Sequence, residues 1–294
     1  MNNLYYKVKN CIFAEKTGSM ESELRKLQQK CLEILDIIDN ICKKHRIQYS
    51  LCGGSVVGAH LYKGFLPWDD DIDLMMTREN YNKFIEIASS ELPQGFSLFC
   101  YQHSEYASQL HLGFAKVMNE NTTFVENNGD ITGIFVDITV YDKIPNNFLR
   151  HIDLFLYKRA QMISTGKLPG NSIKNHIRSF LLDTVFSDYG AYMTFFQKIL
   201  EMLGHTSNYT YRELCGPYYF VSMIPYRPSI FENYTTIEFE GKDIMIVRDY
   251  IEYLQTRYKR TDFIEPKEKQ TPSHYEHIEF DIPYKEYMKE HKRY

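Results

Sequence analysis

Leu51-Cys52-Gly53-Gly54-Ser55 and, a short way on, Lys63-Gly64-Phe65-Leu66-Pro67-Trp68-Asp69-Asp70-Asp71-Ile72-Asp73-Leu74 decide how the rest of the chain is read. A glycine turn leads into a run in which 69, 70, 71 and 73 are all aspartate. Charge of one sign beside an apolar strand is unfavourable unless something positive sits there. A divalent cation is the simplest such partner. The stretch therefore points to a metal-dependent phosphoryl-transfer site.

Strand alternation sharpens this. Over a predicted strand Asp71–Met75, Asp71 and Asp73 share one face while Ile72 and Leu74 bury on the other. Two carboxylates on one rigid element suit one or two metal ions, and oxygen ligands suit Mg²⁺ (or Mn²⁺). Asp69 and Asp70 stand at the strand entry, as caps, water-mediated ligands or solvated groups. Residues 56–61 read as a short helix opening directly after the glycines. Its unpaired N–H groups make a natural phosphate cradle, although such turns are also common for steric reasons.

Working outward, Ser19 is the expected N-cap of a long helix. Leu24, Leu27, Cys31, Ile34, Leu35, Ile38 and Ile41 form its apolar stripe, and Lys43-Lys44-His45 end it. A short strand over 47–51 delivers the chain into the glycines. Thr77 is read as the cap of a helix whose core stripe is Tyr81, Phe84, Ile85 and Ala88. Strands are expected at 96–101, 110–118 and 122–126. Lys116, inside the second, either meets a phosphate near the acids or snorkels from an edge strand. The run 134–140 is a strand with Asp137 set among β-branched residues, which is costly unless paired. Asp137 is thus the natural third carboxylate. Asp142, just beyond, is expected to fix the turn into Ile144-Pro145.

Residues 146–205 carry a helical pattern, 209–229 read as a loop, and 237–247 as two short strands about Glu240-Gly241-Lys242. A helix follows at 249–258, then a charged surface tail from 261. The expected class is α+β: a nucleotidyltransferase-like mixed β-sheet core flanked by helices, with a helical subdomain. The expected division is a tail at 1–18, the catalytic core at 19–145, the helical subdomain at 146–226, and a C-terminal segment at 227–294 packed on the core.

Composition narrows the classes. With 44% hydrophobic and 24% charged residues over 294 positions, the chain is globular and not disordered. A net charge of -4 and the lack of any basic run argue against nucleic acid as a partner. Cys11, Cys31, Cys42, Cys52, Cys100 and Cys215 form no Cys-x-x-Cys pair. They read as reduced core thiols of a cytoplasmic protein. Residues 11–14 are too short an apolar run for a signal-peptide core, and no span suits a membrane crossing. Contact with a membrane would be peripheral, at its inner face.

The order of glycine-serine turn, Asp71-Ile72-Asp73 and distant Asp137 resembles the nucleotidyltransferase fold. More specifically, Gly53-Gly54-Ser55-x-x-Gly58-Ala59 followed by Gly64-Phe65-Leu66-Pro67-Trp68-Asp69-Asp70-Asp71-Ile72-Asp73 resembles the signature of the LicD family. Those are bacterial phosphocholine transferases related to the fukutin-type phosphosugar transferases. The resemblance continues in Lys116 with Asn121-Thr122-Thr123, in Gly133-Ile134-Phe135-Val136-Asp137-Ile138 and in Phe239-Glu240-Gly241-Lys242. It covers residues 25–145 well and 227–275 loosely.

The resemblance implies transfer of a phosphorylated alcohol from a CDP-activated donor, CDP-choline first among them, with CMP leaving. The acceptor implied is a hydroxyl of a cell-surface glycan (capsule, teichoic acid or lipopolysaccharide), free or lipid-linked. Asp71, Asp73 and Asp137 would hold the metals, and Asp137 would help deprotonate the acceptor. Gly53, Gly54, Ser55, Lys63, Trp68, Asp70 and Lys116 would contact the donor. Three departures bear on the donor: Leu61 where the family often has Arg, Val140 where it has Pro, and Lys259-Arg260 where it has Gly-Asp. They leave choline phosphate, ribitol phosphate, glycerol phosphate or another group open. The His-x-x-His pair of His274 and His277 in a charged tail is more often solvated than a metal site, but the family tends to have a His near its C-terminal end, which makes His274 a minor candidate for donor or acceptor contact. Two other readings share the fold: a nucleotidyltransferase acting on a small molecule, and an inactive glycan-binding relative.

Overall fold

The computed structural model describes residues 2–100, 114–127, 129–146, 204–214, 224–263 and 275–291, with isolated positions between 151 and 202. Helix α1 runs Asn2–His45. It does not start at Ser19, because nothing there stops it: no proline lies in 2–45, and a glycine such as Gly18 costs only about 1 kcal/mol in a helix interior. The expected stripe from Leu24 to Ile41 is buried throughout.

Next come β1 (Ser50–Leu51), α2 (Gly53–Tyr62), β2 (Asp73–Thr77), α3 (Arg78–Glu91), β3 (Phe96–Phe99), β4 (Phe114–Glu126) and β5 (Ile131–Pro145). Beyond the sparsely described middle lie β6 (Tyr209–Leu214), β7 (Tyr234–Phe239), β8 (Lys242–Val247), α4 (Tyr250–Tyr258), β9 (Tyr275–Glu279) and α5 (Tyr284–His291). The main sheet has the order β1-β2-β5-β4-β3, with β6 on β5 and β9 on β4. Among the described strands only the β2–β5 pair is parallel; the sheet is mixed and the class α+β, as expected. The hairpin β7–β8 is a separate two-stranded sheet whose turn is Glu240-Gly241.

Several expectations are corrected. Strand β2 begins at Asp73, not Asp71; ladder pairing starts there, and the earlier acids occupy the approach. The stretches 114–118 and 122–126 are one strand, not two. Its register shifts between Asn119 and Phe124. Thr122 clips that bulge, donating from Oγ1 to Asn119 O at 2.8 Å and accepting from Ile134 N at 2.9 Å. Residues 110–113 lie outside the described residues. Within the supposed loop 209–229, residues 209–214 pair with the far end of β5. Asp142 makes no turn; it lies within β5 and takes a two-pronged ion pair from Arg78, with both bonds at 2.8 Å. Thr77 is the N-cap residue of α3 but makes no side-chain cap bond; its Oγ1 instead accepts from Asn80 Nδ2 at 3.0 Å. Part of the charged tail forms β9, paired with β4. Most of 146–226, where the helical subdomain is expected, falls outside the described residues. No described helix is long and apolar enough to cross a membrane.

Candidate active site

The glycine turn is the first wall. Cys52 is the N-cap residue of α2, in extended conformation, and Gly53 follows with φ +53°. The conformation favours glycine, and a side-chain carbon there would also sit tightly, 3.2 Å from Asp73 Oδ2, with Arg257 Nη2 at 3.8 Å. Gly54 faces Asp69, whose Oδ2 is 3.0 Å from the same virtual position. Ser55 is buried, and its hydroxyl accepts from the Asp73 amide at 3.0 Å. The cradle and the acid strand are thus joined by a hydrogen bond.

The second wall is the acid strand. Asp73 and Asp137 are register partners on the parallel pair β2–β5, and the Asp137 amide donates to Ile72 O at 3.1 Å. Among the described residues, Asp69, Asp70 and Asp71 form the acidic group whose carboxylate oxygens lie within 4.8 Å of one another, close enough to share a cation. Asp70 is buried, 2% exposed. Burial pushes the Asp73 carboxyl well above its usual range; Asp71 and Asp137 push it further, against a lowering by Arg257. Below the acids, Cys31 is raised well above a normal thiol by burial and then by Asp71, Asp70, Asp69 and Asp137. It is a protonated core thiol under a negative site.

Lys116 is not on an edge. Strand β4 lies between β5 and β3, and Lys116 is the register partner of Asp137. Its Nζ lies 3.4 Å from Asp137 Oδ1, 3.2 Å from Glu126 Oε1 and 3.3 Å from the Phe135 ring centroid. Burial pulls the ammonium down, but Asp137 and Glu126 more than offset it, and the group is raised overall and charged.

The structure therefore brings together Asp71, Asp73, Asp137, Lys116, Asp69, Asp70 and the Gly53–Ser55 turn. Trp68 is half-buried one residue before the acids, edge-to-face with Tyr62 at 6.4 Å. Lys63 stands apart: it is exposed, and its Nζ pairs with Glu238 at 2.8 Å. His274 lies outside the described residues. His277 is exposed and bonded to Glu279 at 2.9 Å.

The motif around Phe239 has a structural meaning. Phe239 packs on Phe65 at 5.1 Å. Glu240 accepts from the Phe65 amide at 3.3 Å and from Arg25 at 2.6 Å, while its own amide donates to Lys63 O at 2.8 Å. The β7–β8 turn thereby grips the loop that carries the acids.

Sequence reasoning missed Arg257 and Glu213. Glu213 on β6 is 2% exposed; it accepts from Arg257 Nη1 and from Tyr141 OH, the latter at 2.9 Å. Tyr253 OH lies 3.3 Å from Tyr141 OH and 3.2 Å from Cys52 Sγ, and accepts from the Gly53 amide at 3.2 Å. Glu213 fell in a stretch read as loop, and Arg257 on a helix far from the motif. The only signal was the Tyr-rich spacing Tyr250, Tyr253, Tyr258 around it.

Paired acids on adjacent parallel strands, facing a glycine turn at a helix start, define a nucleotidyltransferase-like transferase. Residues 46–168 match the LicD/FKTN/FKRP nucleotidyltransferase domain. The chain thus carries a domain that matches the LicD family. It is similar to the lipopolysaccharide cholinephosphotransferase LicD of Haemophilus influenzae: 28% identical over 263 residues, covering 85% of this chain and 96% of the relative.

Proposed function

We propose that the chain transfers phosphocholine from CDP-choline to a hydroxyl of lipopolysaccharide or a similar cell-surface glycan. The observation that carries this reading is the Asp73–Asp137 register pair set against the glycine turn. The match across nearly the whole Haemophilus transferase supports it. The acceptor oxygen bonds to the phosphorus that bears choline, the diphosphate P–O bond breaks, and CMP leaves with the electron pair. The acceptor proton passes to a carboxylate; Asp137, held beside the Lys116 ammonium, is the assigned base.

The donor set fits Mg²⁺ or Mn²⁺. It is all carboxylate, and Asp71 and Asp137 add to burial in raising Asp73, so the site suits a hard cation. Asp71, Asp73 and Asp137 would hold the ion, with Asp69 and Asp70 alongside. When bound, the metal neutralises phosphate oxygens and aligns the reacting ones. The Gly54 and Ser55 amides at the start of α2 receive the donor phosphates, and the Gly53 amide, bonded to Tyr253 OH, holds the turn in place. The Trp68–Tyr62 corner takes the quaternary ammonium, which aromatic faces attract.

The test is CMP release from a panel of CDP-choline, CDP-ribitol and CDP-glycerol with Mg²⁺ and a lipopolysaccharide acceptor. CDP-choline is expected to be turned over fastest. Pyrophosphate from an NTP, without CMP from any CDP-alcohol, would replace this reading with nucleotide transfer.

A further inference from the structure

Two cations reach the acid cluster from inside the fold, and each is tethered from behind by a second carboxylate. Lys116 stands between Asp137 and Glu126. Arg257 donates to Glu213 and has Asp73 as a neighbour across the Gly53 turn. The second arrangement bridges four elements. Glu213 belongs to β6, Arg257 and Tyr253 to α4, Asp73 to β2, and the Gly53 amide to the start of α2. The buried hydroxyls of Tyr141 and Tyr253, with the Cys52 thiol, complete the path from Glu213 to the glycine turn.

Resting on the phosphotransfer reading, we propose that Arg257, anchored by Glu213, is a positioning residue that sets the Asp73 carboxylate and the Gly53–Gly54 turn. The physical case has three parts. Asp73 Oδ2 and Arg257 Nη2 both lie within 4 Å of one point beside Gly53, so carboxylate and guanidinium flank the same turn. Arg257 is largely buried, its side chain 17% exposed, and Glu213 more so, which removes solvent as an alternative partner. A guanidinium is a rigid fork, so fixing one edge on Glu213 fixes where the other edge points. The anchor also neutralises Arg257, so a metal arriving at Asp73 does not meet a full opposing charge.

Full-length Arg257→Met and Arg257→Lys are compared with wild type by two readouts. One is the Mg²⁺ concentration that gives half the maximal rise in melting temperature; the other is kcat for CMP release from CDP-choline. Loss of a group that orients a ligand typically weakens metal affinity or activity by about tenfold or more. Arg257→Met should shift the Mg²⁺ midpoint and lower kcat by about that factor, with Arg257→Lys in between because charge without the fork restores only part. A purely structural role would lower the starting melting temperature and leave the Mg²⁺ midpoint unchanged, and that result overturns the proposal. If Arg257→Met does not fold, Arg257→Lys is judged by the same midpoint. A wild type that shows the Mg²⁺ shift but turns over no CDP-alcohol removes the phosphotransfer reading, while the midpoints still judge Arg257. A wild type without any Mg²⁺ shift overturns both.

Discussion

Asp73 gathers the chemistry at the scale of single residues. Its amide is held by Ser55, its carboxylate borders Gly53, and Asp137 is its register partner. Burial first, then Asp71 and Asp137, hold its pKa above the ordinary value. For an acid, a folded pKa above the unfolded one means that the folded state binds the proton more tightly. Its contribution to stability is therefore favourable at low pH and is lost as pH rises from near 4, the unfolded value, through the folded one. In EDTA, wild type should lose melting temperature over that rise relative to Asp73→Asn, and Mg²⁺ should restore it in wild type but much less in the variant. Thermal melts at several pH values check this; parallel curves with and without Mg²⁺ would remove Asp73 from the metal set. Losing a ligand of the metal that would neutralise the transferring phosphate should also lower CMP release by about a thousandfold. Asp73 and Asp137 were legible in the sequence because an acid inside an apolar strand has few structural excuses. Arg257 was not, because an arginine near the end of an amphipathic helix usually faces water.

At the scale of elements, the signature from Gly53 to Asp73 is a helix, a loop and a strand packed without slack. A side-chain carbon on Gly58 would meet Leu66 N at 2.8 Å and collide with Gly64 O. Both are backbone atoms and cannot rotate away. Gly58→Ala should therefore destabilise the protein by about 2 kcal/mol, within the range for overpacking, and displace the loop that leads to Asp69. Urea unfolding measures the first effect and the Mg²⁺ midpoint the second; an unchanged urea midpoint would show that α2 can move away from the loop. Helices were the readable elements here. The stripes of α1 and α3 repeat at helical spacing, and the structure buries each of them. Strand limits were less readable. Asp71 and Ile72 look like strand by alternation, yet pairing begins at Asp73, and the bulge in β4 hides behind polar residues at 119–123. Lys116 could be read as edge or interior, and only the strand order decides it.

On the scale of the whole molecule, a site encoded before residue 145 is completed by residues beyond 200. The β7–β8 turn grips the acid loop, α4 supplies Arg257 and Tyr253, and β9 covers β4 at Thr123–Glu126. Such long-range pairings leave no local pattern, which is why β6 and β9 escaped a reading by periodicity. Their loss has a calculable consequence. Ile278 and Tyr284 are buried, and Thr123 Oγ1 donates to Ile282 O at 2.7 Å. Exposing a large apolar side chain costs about 1.5–3 kcal/mol, so removing both forfeits about 3–6 kcal/mol. That is comparable with the total stability of about 5–15 kcal/mol expected of a domain. It also bares the edge of β4, a template for pairing with other chains. A chain ending at residue 263 should thus melt at a markedly lower temperature and self-associate, although it keeps every acid of the site. Size-exclusion chromatography and circular dichroism on that truncation decide the point. A monomer with the wild-type melting temperature would mean that β4 needs no cover and that the C-terminal strand and helix stabilise nothing but themselves.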